Sequence, residues 1–426
     1  MDLKGILKRL EHCPCGKTHT FDIQAVEVGS GVVHRVGALL KEAGFGPRLL
    51  LVADDNTIRA ATGILASLDA AGFCVKKLQY SNLLYARAEQ VREVEALAQD
   101  VDGILSVGTG SLNDICRVAA HTQGKQYAIF GTAPSMDGFA ADLAPIIENN
   151  FKTSWQGAQP RVILADTAIL AKAPVELKAA GFGDMVAKYL GIFDWRVANL
   201  LLGEHYCPAI AELTLESVER MMALADRVEG ESEEAAGVIF EALVLSGLAM
   251  KLAATSRPAS GAEHALSHYW ECYKIARGIW PEFHGKKVGV ASVLMSRIYR
   301  NVAERVEKIT PVADPTTREE VYAAFSAEQI AEVEKVNAFA LAKRVDPDRL
   351  AACWPQIRRL ALEILPTEER LLTAMRAAGA ATEPAQIHID GELLEKGLHY
   401  HPFIKSRLLL THLFPMMGID PMDFTE

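Results

Sequence analysis

The sequence predicts an α/β fold with a parallel sheet in its first part and an all-α fold in its second part. Up to about residue 170, short β-rich runs alternate with helical patterns, and this alternation is typical of a parallel sheet with helices on its faces. Beyond that point helical patterns dominate and strand-like runs nearly vanish. With 426 residues, half of them apolar, the chain is long enough for two domains. We predict domains over 1–170 and 171–426.

The predicted strands of the first part are short apolar runs bounded by turn residues. The run 48–53 is continuously apolar, as are strands that are buried on both faces of a parallel sheet. Further strands are predicted at 73–79, 102–107, 127–130 and 161–165, and helices at 57–72, 88–100 and 111–123.

Periodic apolar positions predict the helices of the second part. They are expected at 174–202, 209–226, 232–255, 260–277, 284–306, 317–323, 326–344, 347–363, 367–379 and 391–398. The segment 308–317 carries two prolines and is expected to be a loop.

Composition argues against several classes of protein. The net charge of −10 and the lack of a basic stripe argue against a nucleic-acid partner. No apolar run reaches the roughly 18 residues that a membrane span needs. The N-terminal segment has no apolar core of the kind found in signal peptides. We therefore expect a cytoplasmic protein without a membrane span.

The seven cysteines have irregular spacing, which does not fit a secreted disulfide framework. Cys13 and Cys15 form a tight pair with His12 and His19 close by, and this group could clip a metal ion. No second cysteine pair completes a zinc site, however. A surface turn is the favoured interpretation of this segment.

A glycine-rich turn, VGTGSLND, is the first chemical signal. Gly108 ends an apolar strand, Gly110 follows one residue later, and Ser111 begins a helix. Glycines let the backbone approach a ligand closely, and the first N–H groups of the helix suit a phosphate. Asn113 stands where the third glycine of G-x-G-x-x-G would fall. A turn without a ligand is therefore an equally favoured alternative.

Two neighbouring segments support a nucleotide site. Asp54 ends an earlier strand, where a carboxylate can bind ribose hydroxyls, although it can equally cap the next helix. Thr132 and Ser135 follow the strand after the glycine turn. In a doubly wound sheet, the loops that follow these strands meet at the carboxyl edge, where ligands bind.

A carboxylate and three histidines suggest a metal site in the helical part. Asp184 follows two glycines and is expected at the start of a helix. His264 and His268 are spaced i, i+4 and hence share a helix face, and His284 lies near the start of the next helix. One carboxylate and two imidazoles would leave open positions on a divalent ion for substrate oxygens. The spacing alone does not select two of the three histidines.

Five segments together resemble the dehydroquinate synthase-like superfamily, which includes glycerol dehydrogenases and iron-containing alcohol dehydrogenases: GTGSLND, TAPSMDGFA, GFGDMVAKY, GAEHALSHYWE and FHGKKVGVA. Within it the chain most resembles the sn-glycerol-1-phosphate dehydrogenase family. The resemblance covers about residues 50 to 295. It implies a Rossmann-like nucleotide-binding domain over 1–170, an all-helical metal- and substrate-binding domain over 171–426, and an active site between them.

The resemblance also assigns roles to residues. It implies that Asp184, His264 and His284 bind the metal, and that Asp137, Asp184 and His268 are catalytic and contact the substrate. The cofactor-binding residues that it implies are Asp54, Gly108, Thr109, Gly110, Ser111, Leu112, Thr132 and Ser135. Ala141 departs from the family pattern, which has a serine near the cofactor at this position. The alanine removes one hydroxyl contact.

The implied reaction is hydride transfer between NAD(H) or NADP(H) and a small phosphorylated polyol or ketose, namely sn-glycerol-1-phosphate and dihydroxyacetone phosphate. One divalent ion is expected, with zinc favoured over nickel and iron(II). A homodimer or larger homo-oligomer is also expected.

Other interpretations remain open. Within the superfamily, the chain could be a glycerol dehydrogenase, a related polyol dehydrogenase or a dehydroquinate synthase-like enzyme. From another class, it could be a non-catalytic nucleotide-binding sensor. Candidates for binding a substrate phosphate are basic residues of the helical part, although a solvent-exposed position is favoured for each: Lys188, Arg257, Lys286 and Lys287.

Overall fold

The computed structural model describes residues 1–148, 151–337 and 340–426, and it confirms an α/β part followed by a helical part. Among the described residues after Asp166, no strand occurs. The strands are β1 (Ala25–Gly29), β2 (Arg48–Asp54), β3 (Cys74–Tyr80), β4 (Gly103–Gly108), β5 (Gln126–Gly131), β6 (Leu143–Glu148), β7 (Phe151–Gln156) and β8 (Val162–Asp166).

The α-helices alternate with strands in the first part and follow one another in the second. They are α1 (Leu3–Leu10), α2 (Val36–Glu42), α3 (Asp55–Ala60), α4 (Ile64–Ala70), α5 (Ala88–Leu97), α6 (Gly110–Thr122), α7 (Thr167–Ala171), α8 (Val175–Val186), α9 (Lys188–Leu202), α10 (Pro208–Met222), α11 (Glu233–Ala253), α12 (Ala262–Ile275), α13 (His284–Arg305), α14 (Arg318–Ala323), α15 (Ala327–Val336), α16 (Pro347–Ile364), α17 (Glu368–Ala377), α18 (Gly391–Tyr400) and α19 (Phe414–Met417).

Six of the strands form one parallel sheet in the order β1-β8-β5-β4-β2-β3. In this register Val52 of β2 lies opposite Ser106 of β4, and Gly108 of β4 lies opposite Gly131 of β5. The loops after β2, β4 and β5 therefore leave the sheet side by side at its carboxyl edge, where open α/β sheets bind ligands. β6 and β7 form a separate antiparallel pair, and β6 packs against α6.

Helix α11 lies at the centre of the helical part and packs against α7, α8 and α10. By length and composition it is apolar enough to cross a membrane. However, 72% of its most apolar stretch is buried inside the protein, as in the core helix of a globular fold.

The structure differs from the predicted helices at three points. The predicted helix 57–72 is two helices, α3 and α4, separated at Gly63, whose φ of +102° favours glycine and interrupts helical geometry. The predicted helix 174–202 is also two, α8 and α9, which meet at Ala187. Of the predicted helix 326–344, α15 covers Ala327–Val336, and residues 338 and 339 lie outside the described residues.

Several short elements are additions that the sequence patterns do not predict. These are α1, α2, α7, α19, β1 and the β6–β7 pair. β1 is an edge strand with only one buried residue, so it has no continuous apolar run to reveal it. Such a strand is stabilised mainly by its backbone pairing with β8.

Helices α8 and α13 pack backbone against backbone. A Cβ on Gly183 would lie 3.1 Å from the Cα of Gly289, and a Cβ on Gly285 would overlap the carbonyl oxygen of Ala180. Because glycine has no side chain, the two helices can approach each other closely at these positions. The residues next to these glycines on the two helices are brought close to each other as a result.

We expect Gly285→Ala to lower the free energy of unfolding by about 1–3 kcal/mol, because the added methyl group would overlap backbone atoms that cannot move independently. Chemical denaturation measures this difference. Gly391, the first residue of α18, has open space at the Cβ position, so Gly391→Ala should not destabilise the protein. Equal stability of the two variants would contradict the proposed tight contact.

Candidate active site

A cleft of about 1320 Å³ is lined by residues from both parts of the chain. Its walls include the loops after β2, β4 and β5, the β6–β7 pair and the first turns of α12 and α13. The predicted site residues that line it are Asp54, Thr109, Gly110, Ser111, Thr132, Ser135, Asp137, His264, His268 and His284.

Asp184, His264 and His284 converge at one end of this cleft. His264 Nε2 lies 3.5 Å from Asp184 Oδ1, and His284 Nε2 lies 3.9 Å from Asp184 Oδ2. One ligand atom from each residue lies within 4.8 Å of the others. A carboxylate oxygen and two imidazole nitrogens at these separations suit zinc, nickel or iron(II) and leave coordination positions open.

The sequence-based expectation that Asp184 begins a helix is wrong. Asp184 lies in the last turn of α8 and is completely buried. Its Oδ2 accepts a hydrogen bond from the backbone N–H of Asp137 at 3.0 Å, and its Oδ1 accepts one from Lys188 Nζ at 3.1 Å. Lys188 Nζ also donates to Asp137 Oδ2 at 2.6 Å. The two buried carboxylates therefore share one buried ammonium group.

The electrostatics of the site favour a charged carboxylate at Asp184 and neutral imidazoles at His268 and His284. Burial alone would raise the pKa of Asp184, but Lys188 and the two histidines outweigh burial and hold that pKa well below its usual range. Burial lowers the pKa of His268 and of His284 well below the ordinary histidine value. Both rings are then neutral at pH 7, which is the form that binds a metal.

His264 is oriented from behind by its neighbour. Its Nδ1 lies 2.8 Å from Glu263 Oε1, and its Nε2 faces Asp184. A carboxylate behind the second ring nitrogen is the usual support of a metal-binding histidine. Two hydrogen bonds, to Asp184 and Glu263, outweigh the effect of burial and raise the pKa of His264.

The structure offers a second possible grouping, which consists of His268, Glu271 and His284. In that grouping Glu271 is already paired, since both of its oxygens accept from Lys152 Nζ at 3.1 Å and one lies 3.8 Å from Lys287. Burial opposes ionisation, yet Lys152 and Lys287 lower the pKa of Glu271 to about 2. Glu271 faces two lysines, whereas Asp184 faces one lysine that it shares with Asp137, so the grouping around Glu271 suits a cation less than the one around Asp184.

The glycine turn connects β4 to α6 at the other side of the cleft. A Cβ on Gly108 would overlap the side chain of Leu112, and a Cβ on Gly110 would lie 2.9 Å from Met136. Thr109 precedes the first residue of α6, so the first N–H groups of the helix face the region beyond the sheet edge. Leu112 itself is buried in the core, and neither Leu112 nor Gly108 lines the cleft.

Asp54 caps a helix. Its Oδ1 accepts from the N–H groups of Asn56 and Thr57 at 3.0 and 2.9 Å, at the start of α3. The helix-cap alternative is therefore realised, while a contact with a ribose stays a prediction. Across the cleft, Ala141 also lines the wall, without the hydroxyl that the family pattern has at this position.

The four basic residues considered for a phosphate do not line the cleft. Each has another partner: Lys188 binds Asp137 and Asp184, Arg257 binds Glu204, Lys286 binds Glu176 and Glu282, and Lys287 lies near Glu271. The expectation of solvent exposure is wrong for Lys188, Arg257 and Lys287, which are buried. A buried charge is costly unless it is paired, and the partners of these three residues neutralise their charges.

Two cations that sequence reasoning missed do line the cleft, next to His268. Lys405 Nζ lies 3.0 Å from His268 Nδ1, and Arg407 donates to Ser256 Oγ and Ser260 Oγ at 2.6 Å each. The structure shows no ion pair for either cation among the described residues. Burial and then neighbouring cations lower the pKa of Lys405 to about 7 and that of Arg407 to about 10. Both follow the last predicted helix, where the sequence shows no motif.

Comparisons with known proteins agree with this architecture. Residues 27–174 match the family model described as iron-containing alcohol dehydrogenase. A glycerol-1-phosphate dehydrogenase [NAD(P)+] from Halalkalibacterium halodurans is 35% identical over 310 residues, which is 71% of this chain and 77% of that protein. An enzyme of the same name from Geobacillus stearothermophilus is 31% identical over 435 residues, which is 100% of this chain and 99% of that protein.

The fold is shared with solved structures at lower sequence identity. A probable glycerol dehydrogenase from Sinorhizobium meliloti 1021 superimposes with a TM-score of 0.65 at 15% identity, covering 96% of this chain and 99% of that one. At this identity the likeness supports the fold, an α/β part followed by a helical part.

We expect Asp184→Asn to weaken binding of a divalent ion by more than about 100-fold, since even residues behind the ligands contribute 10–100-fold. The measurement is metal content by mass spectrometry after dialysis against a competing chelator. Glu271→Gln is the matched control from the second grouping and should retain the metal. Loss of the ion in Glu271→Gln, with retention in Asp184→Asn, would assign the site to the second grouping instead.

Proposed function

The chain belongs to the glycerol-1-phosphate dehydrogenase family, and from this premise we propose that it interconverts sn-glycerol-1-phosphate and dihydroxyacetone phosphate with NAD(H) or NADP(H). The observation that carries the proposal is a single cleft with three features. Asp184, His264 and His284 converge at it, the glycine turn at Gly110 borders it, and unpaired cations lie in its wall.

The enzyme uses a nicotinamide cofactor and a divalent metal, as its relatives' names and the matching family model imply. We propose zinc, with nickel and iron(II) as alternatives, held by Asp184, His264 and His284, because all three ions suit this donor set. When bound, such a cation supplies Lewis acidity that stabilises negative charge developing on a carbonyl oxygen.

The residues of the chain position the reactants. We propose that the backbone around Thr109, Gly110 and Ser111 binds the cofactor pyrophosphate, with Gly108 and Leu112 shaping the turn from behind. Asp54 is proposed to contact the ribose, and Thr132 and Ser135 the nicotinamide half. Support comes from the common edge of the sheet from which these loops emerge.

Asp137 and His268 are proposed to orient the substrate or relay protons. Asp137 is held in place by Lys188 and by Ser246, whose hydroxyl donates to Asp137 Oδ2 at 3.0 Å. His268 is held by Lys405. Because these side chains are already held in place, less of their motion is lost when the substrate binds. This lowers the free-energy cost of reaching a reactive geometry.

We propose that Lys405 and Arg407 bind the substrate phosphate. Lys405 and Arg407 are half-buried and have no carboxylate partner in the part of the chain that the structure describes. The two cations repel one another, and a bound dianion would remove that repulsion. Lys405 lies at hydrogen-bond distance from His268, the residue proposed to contact the substrate, and Arg407 lies near Lys405 in the same cleft wall. This feature favours a phosphorylated substrate over free glycerol.

The alternatives have less support. A glycerol dehydrogenase or another polyol dehydrogenase would share the metal and the cofactor but would have no use for unpaired cations in the cleft. The same cations would suit a dehydroquinate synthase-like enzyme, but the similar proteins are named as dehydrogenases. Nothing in the names of the relatives favours a non-catalytic sensor.

Location, assembly and domain division complete the proposal. None of the seven cysteines forms a disulfide, as is usual in the reducing cytoplasm, and we propose that the enzyme acts there. We also propose that it is a homodimer or larger homo-oligomer. Light scattering measures the assembly. The division into 1–170 and 171–426 is supported by the end of the sheet at Asp166.

We expect the purified, metal-replete protein to oxidise NADH or NADPH when dihydroxyacetone phosphate is present. Chelation should abolish the reaction and return of the metal should restore it, whereas His264→Ala should be inactive under both conditions. Free dihydroxyacetone, assayed in parallel, tests the need for the phosphate. A metal-replete protein that is inactive with both cofactors, or that prefers the free ketone, would disprove the proposed substrate.

We expect Arg407→Met to raise the KM for dihydroxyacetone phosphate by about 10- to 100-fold, since hydrogen bonds to charged groups contribute about 1.5–3 kcal/mol. Steady-state kinetics measure this change, and the weak reaction with free dihydroxyacetone should be unaffected. Arg359, an exposed arginine on α16, provides the control Arg359→Met. An unchanged KM in Arg407→Met would exclude a role of this residue in phosphate binding.

A further inference from the structure

A second cluster of potential metal ligands lies outside the cleft. Cys13 Sγ lies 3.4 Å from Cys207 Sγ, Cys15 Sγ lies 3.2 Å from His19 Nε2, and Cys207 Sγ lies 3.7 Å from the same nitrogen. All four ligand atoms lie within 4.8 Å of one another. The sequence already placed His19 beside Cys13 and Cys15, and the missing further ligand is supplied from far along the chain by Cys207.

We propose that Cys13, Cys15, His19 and Cys207 bind a structural Zn²⁺ ion. Zinc binds thiolates at about 2.3 Å and imidazole nitrogens at about 2.0–2.1 Å in a tetrahedral arrangement, which places neighbouring ligand atoms about 3.5–3.8 Å apart. Three of the six separations are 3.2–3.7 Å, close to that range, and the other three are at most 4.8 Å. Three sulfurs and one nitrogen fill a tetrahedral site, so this ion would have no open position for a substrate.

The backbone around the cluster orients the four ligands. His19 is buried, and its Nδ1 lies 2.8 Å from the carbonyl oxygen of Leu252, so Nδ1–H can donate while Nε2 faces the sulfurs. This is the usual support of a zinc-binding histidine. Gly16, with a φ of +79°, closes a turn in which its N–H donates to the carbonyl of Cys13. The surface turn that the sequence predicts is thus the turn that carries two of the ligands.

Cys207 supplies its sulfur from the helical part of the chain. It is fully buried and immediately precedes α10. Burial and the neighbouring Cys13 and Cys15 raise the pKa of the Cys207 thiol to about 12, so a bound ion would have to displace its proton, as zinc does when it binds thiols. The exposed Cys74 on β3 has no such surroundings.

The proposed ion would fasten the N-terminal segment to the helical part. Cys207 ends the loop between α9 and α10, and His205 of the same loop lies 3.2 Å from the carbonyl oxygen of Cys15. Glu204, also in this loop, binds Arg257 at 2.8 Å. None of the four zinc ligands lines the cleft, so the proposal is independent of the proposed reaction.

The test uses the full chain with His264→Ala, which removes an imidazole from the cleft site, expressed with zinc and kept reduced. We expect one zinc per chain, with an X-ray absorption spectrum of three sulfur ligands and one nitrogen ligand. Adding Cys207→Ser or Cys15→Ser should remove that zinc, whereas the control Cys74→Ser should retain it. In the otherwise unmodified chain, Co²⁺ should produce thiolate-to-metal charge-transfer absorption. This measurement does not depend on whether the serine variants fold.

Three results would overturn the proposal. The first is a folded, reduced His264→Ala chain that holds no zinc. The second is bound zinc whose spectrum shows only nitrogen and oxygen ligands. The third is a Cys13–Cys207 disulfide in protein that is isolated free of zinc, found by mass spectrometry without reductant. The cluster would then link the N-terminal segment to the helical part covalently and not through a metal ion.

Discussion

The ion pairs of Lys188 with Asp137 and Asp184 are the interaction on which the rest of the site depends. Burying two carboxylates without compensation would be very costly, and removing one partner of a buried pair typically costs about 3–5 kcal/mol. Asp137 follows the sheet of the α/β part, whereas Lys188 begins a helix of the helical part. The same contact that neutralises the charges therefore holds the two walls of the cleft together, and it keeps Asp184 ionised beside two imidazoles.

Close helix packing is the second requirement. Asp184 lies in the last turn of α8, His264 lies in the first turn of α12, and His284 begins α13. These ends meet because glycines replace side chains where α8 and α13 touch. Stability and function are thus coupled, since a side chain at Gly183 or Gly285 would separate the helices and the site residues attached to them.

Charge is distributed unevenly along the cleft. Asp137 and, just behind the cleft wall, Asp184 lie near His264 and His284, while Lys405 and Arg407 line the wall at His268 and have no acidic partner among the described residues. This separation suits a substrate with a polar oxygen at one end and a phosphate at the other. Arg407 donates to Ser256, the residue before Arg257, and Arg257 binds Glu204. Glu204 lies in the loop that ends at Cys207, so this loop connects the surroundings of Arg407 with the proposed zinc site.

The sequence by itself determined the fold class and the main strands, and it singled out the glycine turn and a carboxylate with three histidines as site candidates, because each depends on local patterns or on fixed spacing. The choice of His264 and His284 among the histidines came from the family resemblance. The separation of α8 from α9, and hence the position of Asp184 at a helix end, followed from packing that no local pattern records. Only the tertiary structure could bring Lys405 and Arg407 beside His268, or Cys207 beside Cys13. Those contacts join segments far apart in the chain, and the charge or sulfur of a single residue gives no sign of which distant group it will meet.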